Sequence, residues 1–160
     1  MSTIDILREP RGPDYRALLR FMTPRAKSFS LVWRHQLRHG QGADAIQARL
    51  EPDLLQAVET AAWPGTVLYA GELAIVRFYR VTAETMAVLA EAPGLYSWRV
   101  PERPEDLAFY GEGDQVLMGS IAHERDAWFE AGMITEVDVR ASLATLAIRV
   151  ADGPDPGTDA

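Results

Sequence analysis

Apolar and polar positions along the chain change period several times, and each change predicts an element. Tyr15, Leu18, Leu19 and Met22 recur at i, i+3, i+4 and i+7 behind Asp14, a capping residue, and Pro24 stops the run. KSFSLVWRH then alternates Phe29, Leu31 and Trp33 with Ser30, Val32 and Arg34, the pattern of a half-buried strand. The glycines of HGQG open a loop, and a helical run follows from about Asp44. Pro52 suits the first position of another helix, with Leu54, Leu55, Val58 and Ala62 on one face and Trp63-Pro64-Gly65 at its end. From Thr66 the period is two: TVLYA and LAIVRFYRV flank Gly71-Glu72 and predict a hairpin. Thr82 caps a helix through about Glu91, with Met86 and Leu89 inward and Pro93-Gly94 beyond it.

LYSWRV reads as a strand that PERPE cannot continue, because each proline removes a ladder donor. DLAFY and QVLMGSIA surround GEGD and predict the clearest hairpin of the chain. ERDAWFEA fits either a short helix or a strand pairing back through Trp128, and the pattern leaves both open. Val139, Leu143 and Leu146 mark a C-terminal helix from Thr135 to about Arg149. The expectation is one α+β domain over residues 1–150, an antiparallel sheet of hairpins packed with four to five helices. The tail 151–160, ADGPDPGTDA, has nothing to bury and is expected to be disordered.

Composition narrows the chemistry. Apolar residues make up 48% of the 160, enough for a core that needs neither disulfide nor metal. Cysteine is absent, which removes thiolate nucleophiles, disulfides and Cys-ligated zinc and fits a reducing cytosol. The start, MSTIDILREPRG, has acids and a proline where a signal peptide would be basic and then apolar. No stretch approaches the roughly 18 apolar residues of a membrane span, so a cytoplasmic location away from membranes is expected.

The net charge of −7 is unevenly placed: residues 1–80 hold 11 basic and 8 acidic side chains, residues 81–160 hold 5 and 15. Eight Arg or Lys against two acids between Arg8 and Arg38, with Trp33 able to stack on a base, would suit a nucleic acid. Trp33 alternates with core residues, however, and an acidic protein is repelled by phosphates, so nucleic acid is not the expected partner.

Candidate sites are few. His35 and His39 are four apart, but in a strand that spacing separates them by roughly 13 Å; parity puts His35 on the buried face, and His39, where the strand gives way to loop, is expected to be solvated. His123-Glu124 lacks the second histidine of HExxH, since Ala127 stands there; a metal would need ligands recruited from elsewhere, whereas a general acid–base pair needs only a pocket. The plainer reading makes Ser120, His123 and Asp126 polar groups that satisfy backbone donors at a strand end. GEGD is a turn, since its acids would repel a phosphate. The acidic pairs Glu105/Asp106 and Asp152/Asp155 lack the setting a glycosidase needs, and no metal ligand set or cofactor is implied. Glu102, Glu105, Asp106, Glu112, Asp114, Glu124 and Asp126 crowd one stretch beside Tyr96, Trp98 and Tyr110, a composition suited to steering a basic protein partner.

GLYSWRVPERPEDLAFYGEGDQVLMGSIAHERDAWF, with YAGELAIVRFYRV before it, resembles small bacterial domains that carry an aromatic hairpin, a P-E-D-L segment and a strand ending in His-Glu. The likeness covers roughly Val67 to Phe129 and names no catalytic set, so it implies no functional residues. In type, though not in motif, the chain is similar to immunity proteins that neutralise basic toxin domains. The function expected is therefore protein binding, as the immunity partner of a toxin, with Glu102, Glu105, Asp106, Glu112 and Asp114 meeting basic side chains and Tyr96 or Trp98 as anchors. The alternative is a small hydrolase using His123 and Glu124.

Overall fold

The computed structural model describes residues 2–152. Thr3–Ile6 forms β1, followed by α1 (Pro13–Met22), β2 (Ser28–Arg34), α2 (Gln41–Leu50) and β3 (Leu54–Thr60). A two-residue pair, β4 (Ala62–Trp63) and β5 (Thr66–Val67), precedes β6 (Ala74–Arg80) and α3 (Ala83–Leu89). The chain then runs through β7 (Glu105–Tyr110), β8 (Val116–Ile121), β9 (Asp126–Glu130), α4 (Glu136–Ser142) and β10 (Ile148–Ala151). The class is mixed α+β, as the pattern of elements predicts. Eight strands make one sheet in the order β10-β1-β9-β8-β7-β2-β6-β3, every neighbouring pair antiparallel, and β4-β5 form a small separate ladder.

Helices cover one face of the sheet. Phe29, Leu31 and Trp33 of β2 point there and join Tyr15, Leu18 and Met22 of α1 and Leu89 of α3 in the main core. A buried polar chain ties the layers together: the Trp98 indole N–H donates to the Tyr15 hydroxyl at 2.9 Å, and that hydroxyl donates to the Leu89 carbonyl at 2.6 Å. Each group therefore keeps a partner away from water, and burying the rings costs no unmade hydrogen bond. The other face is closed partly by the β4-β5 pair, whose Trp63 packs with Val32, Ala74 and Val76. Trp128 lies across Gly119 on β8, where an added Cβ would stand 2.4 Å from the indole, so only glycine admits the ring.

Several expectations are corrected. Coverage of both faces makes β2 a fully buried strand up to Trp33 rather than a half-buried one. The helix expected after Pro52 is instead the strand β3: Gln56, Ala57 and Val58 pair with Phe78, Arg77 and Val76 of β6, and the sheet overrides the local periodicity. TVLYA and LAIVRFYRV do not pair with each other. A turn does form near Gly71, but β5 before it pairs with β4, and β6 after it lies between β2 and β3. LYSWRV is no strand; Leu95–Ser97 is a single 3-10 turn, and Trp98 that follows is fully buried against α1.

The ambiguous ERDAWFEA resolves as β9, pairing with β8 from Met118↔Phe129 to Ile121↔Asp126. The C-terminal helix starts at its Thr135 cap, as its pattern predicts, but ends at Ser142, and Ile148–Ala151 turns into β10 against β1. The expected tail begins inside that strand at Ala151, and its remainder from 153 lies outside the described residues. The apolar stripe of α1, the Thr82 cap with its reciprocal Thr85 bonds and the β7-β8 hairpin match their patterns. However, α1 starts at Pro13 behind Gly12, so Asp14 lies inside its first turn, accepts from the Thr145 hydroxyl and caps nothing.

Candidate functional site

At the start of β7 strict alternation would send Glu105 and Asp106 to opposite faces. A bulge prevents this. Ser30 pairs with Ala108 and Val32 with Glu105, so two steps on β2 face three on β7. The extra residue is accommodated with Asp106 at φ 54°, a left-handed conformation uncommon for a residue other than glycine. The outcome is that both carboxylates are buried, Glu105 3% and Asp106 2% exposed. The turn after β8 brings His123 beside them. One donor atom each from Glu105, Asp106 and His123 lies within 4.8 Å of the other two.

Backbone and indole N–H groups hold the two acids. Asp106 accepts from Trp63 Nε1 at 2.9 Å through Oδ2 and from the Ala122 amide at 3.0 Å through Oδ1. Glu105 Oε1 accepts from the Val100 amide at 3.0 Å, while its Oε2 is buried without a partner. The Val100 segment is pinned against α2: Gly40 N–H donates to the Pro101 carbonyl at 2.8 Å, and a Cβ at Gly42 would meet the Glu102 carbonyl at 2.6 Å. Burial pushes both carboxyls above the usual carboxylate range. For Glu105 the Val100 N–H opposes this, Asp106 adds to it, and His123 and Arg99 pull back. For Asp106 the Trp63 and Ala122 donors oppose it, then His123 and Arg34. Desolvation of the charged form outweighs the hydrogen bonds in each case.

The surface expected from the sequence does not form as one patch, and this is a correction. Trp98 is fully buried and Tyr96 nearly so, its hydroxyl raised to about 12 by burial and then by Asp126 and Glu9 against Arg125, so neither stands out as an anchor. Glu105 and Asp106 point inward. Glu102, Glu112 and Asp114 are exposed, but Glu102 precedes β7 and the other two follow it, with roughly 17 Å of strand between. Glu112 faces Lys27 at 3.4 Å. The His123-Glu124 pair of the hydrolase reading is exposed at a 3-10 turn, and Glu124 does not share the cluster with His123.

His35 and His39 exchange their expected places. β2 ends at Arg34, so His35 is exposed with Nε2 3.5 Å from Glu59, while His39 is half-buried beside Trp33 and burial lowers its basicity. The partners of His123 were the acids of the PEDL segment, which no spacing rule connects to it.

A second feature lies on the sheet face away from the main helices. Val58, Thr60, Val76, Phe78, Trp63 and Tyr110 line an open, largely apolar groove of about 390 Å³. Its rim is β3, the last strand of the sheet, seven residues long and exposed through most of its length, with Leu55 49% and Val58 37% exposed. Among the described residues no helix is long and apolar enough to cross a membrane. None of the protein-family models, curated proteins or solved structures compared with the chain matches it.

Proposed function

We propose that the protein acts by binding another protein, taking an extended segment of it against β3. The observation that carries this reading is that β3 is an outer strand with no further strand beside it among the described residues. An outer strand leaves alternate backbone N–H and C=O groups unpaired, and natural sheets usually guard such an edge by shortness, bulges, proline or lysine. β3 is long, has its bulge only at Leu54/Gln56 and carries neither proline nor lysine. An added strand would gain main-chain hydrogen bonds from the edge, and its alternate side chains would find the neighbouring groove. The net charge of −7 supports a basic partner, steered in by long-range attraction. The finer reading is an immunity protein covering a basic toxin domain, through β3 with Glu102, Glu112 and Asp114 as outlying charges. Hydrolysis through His123 and Glu124 has less support, since neither residue lines the groove.

The test is capture from the native host followed by hydrogen exchange on the complex. A basic partner in stoichiometric amount should slow exchange at Leu54–Thr60, and Val58→Lys should abolish capture while leaving the unfolding free energy within about 0.5 kcal/mol of wild type. Capture that Val58→Lys leaves intact, with exchange at β3 unchanged, rejects the reading.

A further inference from the structure

Each ionised carboxylate taken out of water loses hydration that only hydrogen bonds or an opposite charge can replace. Asp106 has both oxygens met by N–H donors, but Glu105 keeps Oε2 buried and unpartnered, and it does so next to a second acid and an imidazole. We propose that Glu105, Asp106 and His123 bind a divalent cation of the zinc or manganese class, through one carboxylate oxygen of each acid and one ring nitrogen. The two negative charges then face two positive ones, and the orphaned oxygen gains a ligand bond.

The donor set argues for this class. Two oxygens and one nitrogen, in a chain without cysteine, suit zinc or manganese rather than soft thiolate-bound metals. Calcium takes six to eight oxygens and would find two acids here. The outer partners are already in place: Trp63, Ala122 and Val100 donate to the two carboxylates and fix how their free lone pairs point, as groups behind metal ligands do. Metal–ligand bonds of about 2.0–2.2 Å need donor atoms about 3–4 Å from one another, and the three stand within 4.8 Å. Exposed His123 can adjust to the ion by a side-chain rotation, and its open side admits water as a further ligand. The binding reading at β3 neither requires nor predicts this site.

Chelator-treated full-length protein should be titrated with ZnCl2 and separately with MnCl2 by calorimetry, with Tm measured alongside. The expected result is one ion per chain for at least one metal, with a matching rise in Tm. His123→Ala, at an exposed position that threatens no folding, should weaken binding at least about tenfold. Glu105→Gln, which keeps an acceptor for the Val100 N–H, should abolish it, while Val58→Lys should leave it unchanged. Absence of one-to-one binding for both ions overturns the proposal, and so does binding that His123→Ala leaves at wild-type strength.

Discussion

The two ends of β7 carry nearly the same letters and live in opposite surroundings. Glu105 and Asp106 at its start are buried under Trp63, the Val100 segment and the turn after β8, whereas Glu112 and Asp114 beyond its end project from a solvated 3-10 turn. Composition makes the ends equivalent, and packing separates them. The inner pair needs backbone donors and a bulge and carries raised carboxyl pKa values; the outer pair needs only water. An acidic run is therefore no measure of an acidic surface, because a one-residue bulge can turn consecutive carboxylates inward.

The sharpest way to break the comparison is to delete one acid at each end. Asp106→Ala should cost about 3 kcal/mol in urea unfolding, since it orphans the Trp63 and Ala122 donors and leaves alanine at a positive φ. An Asp106→Ala protein as stable as an Asp114→Ala control would mean that the inner end is as solvated as the outer. Trp63→Phe tests one of those two donors. It should lower stability by about 1–3 kcal/mol, read from the same urea midpoints, by leaving Asp106 Oδ2 without its indole partner.

Acidity sharpens the contrast further. A carboxyl whose folded pKa lies above its unfolded one favours folding when protonated. Its contribution is full below the unfolded value, near 4.3 for glutamate, and is lost as pH rises through the folded value. With a chelator present, Tm should therefore fall across that window in wild type more than in Glu105→Gln, which should be the more stable at pH 7. Parallel Tm profiles for the two proteins would contradict a desolvated Glu105. The smallest effect is expected at the outer end. Glu112→Ala loses an ion pair whose side chains are 66% and 86% exposed, and double-mutant analysis with Lys27→Ala should return a coupling below about 0.5 kcal/mol.

Much of the fold was legible in local pattern. The α1 stripe, the Thr82 cap, β2, β6 and the β7-β8 hairpin each have a period or a cap that packing then used. The failures share a cause. Leu54, Leu55 and Val58 fit a helical face, and only β6 as a neighbour makes them a strand; LYSWRV has strand residues, yet Tyr15 offers Trp98 a hydrogen bond inside the core instead. Of the candidate site, His123 was visible as a polar residue at a strand end, and Glu105 and Asp106 as acids, but their meeting was not. It depends on β7 and β8 running antiparallel, which sets the beginning of one beside the end of the other.

The sequence by itself determined the α+β class and the positions of the well-capped helix and hairpin, because those depend on neighbours a few residues apart. It also determined the net charge and the lack of thiol chemistry, which are sums over the chain. Tertiary structure alone decided which acids meet solvent, where the sheet ends and what stands beside His123. Burial and strand pairing join residues distant along the chain, and local periodicity carries no record of those partners.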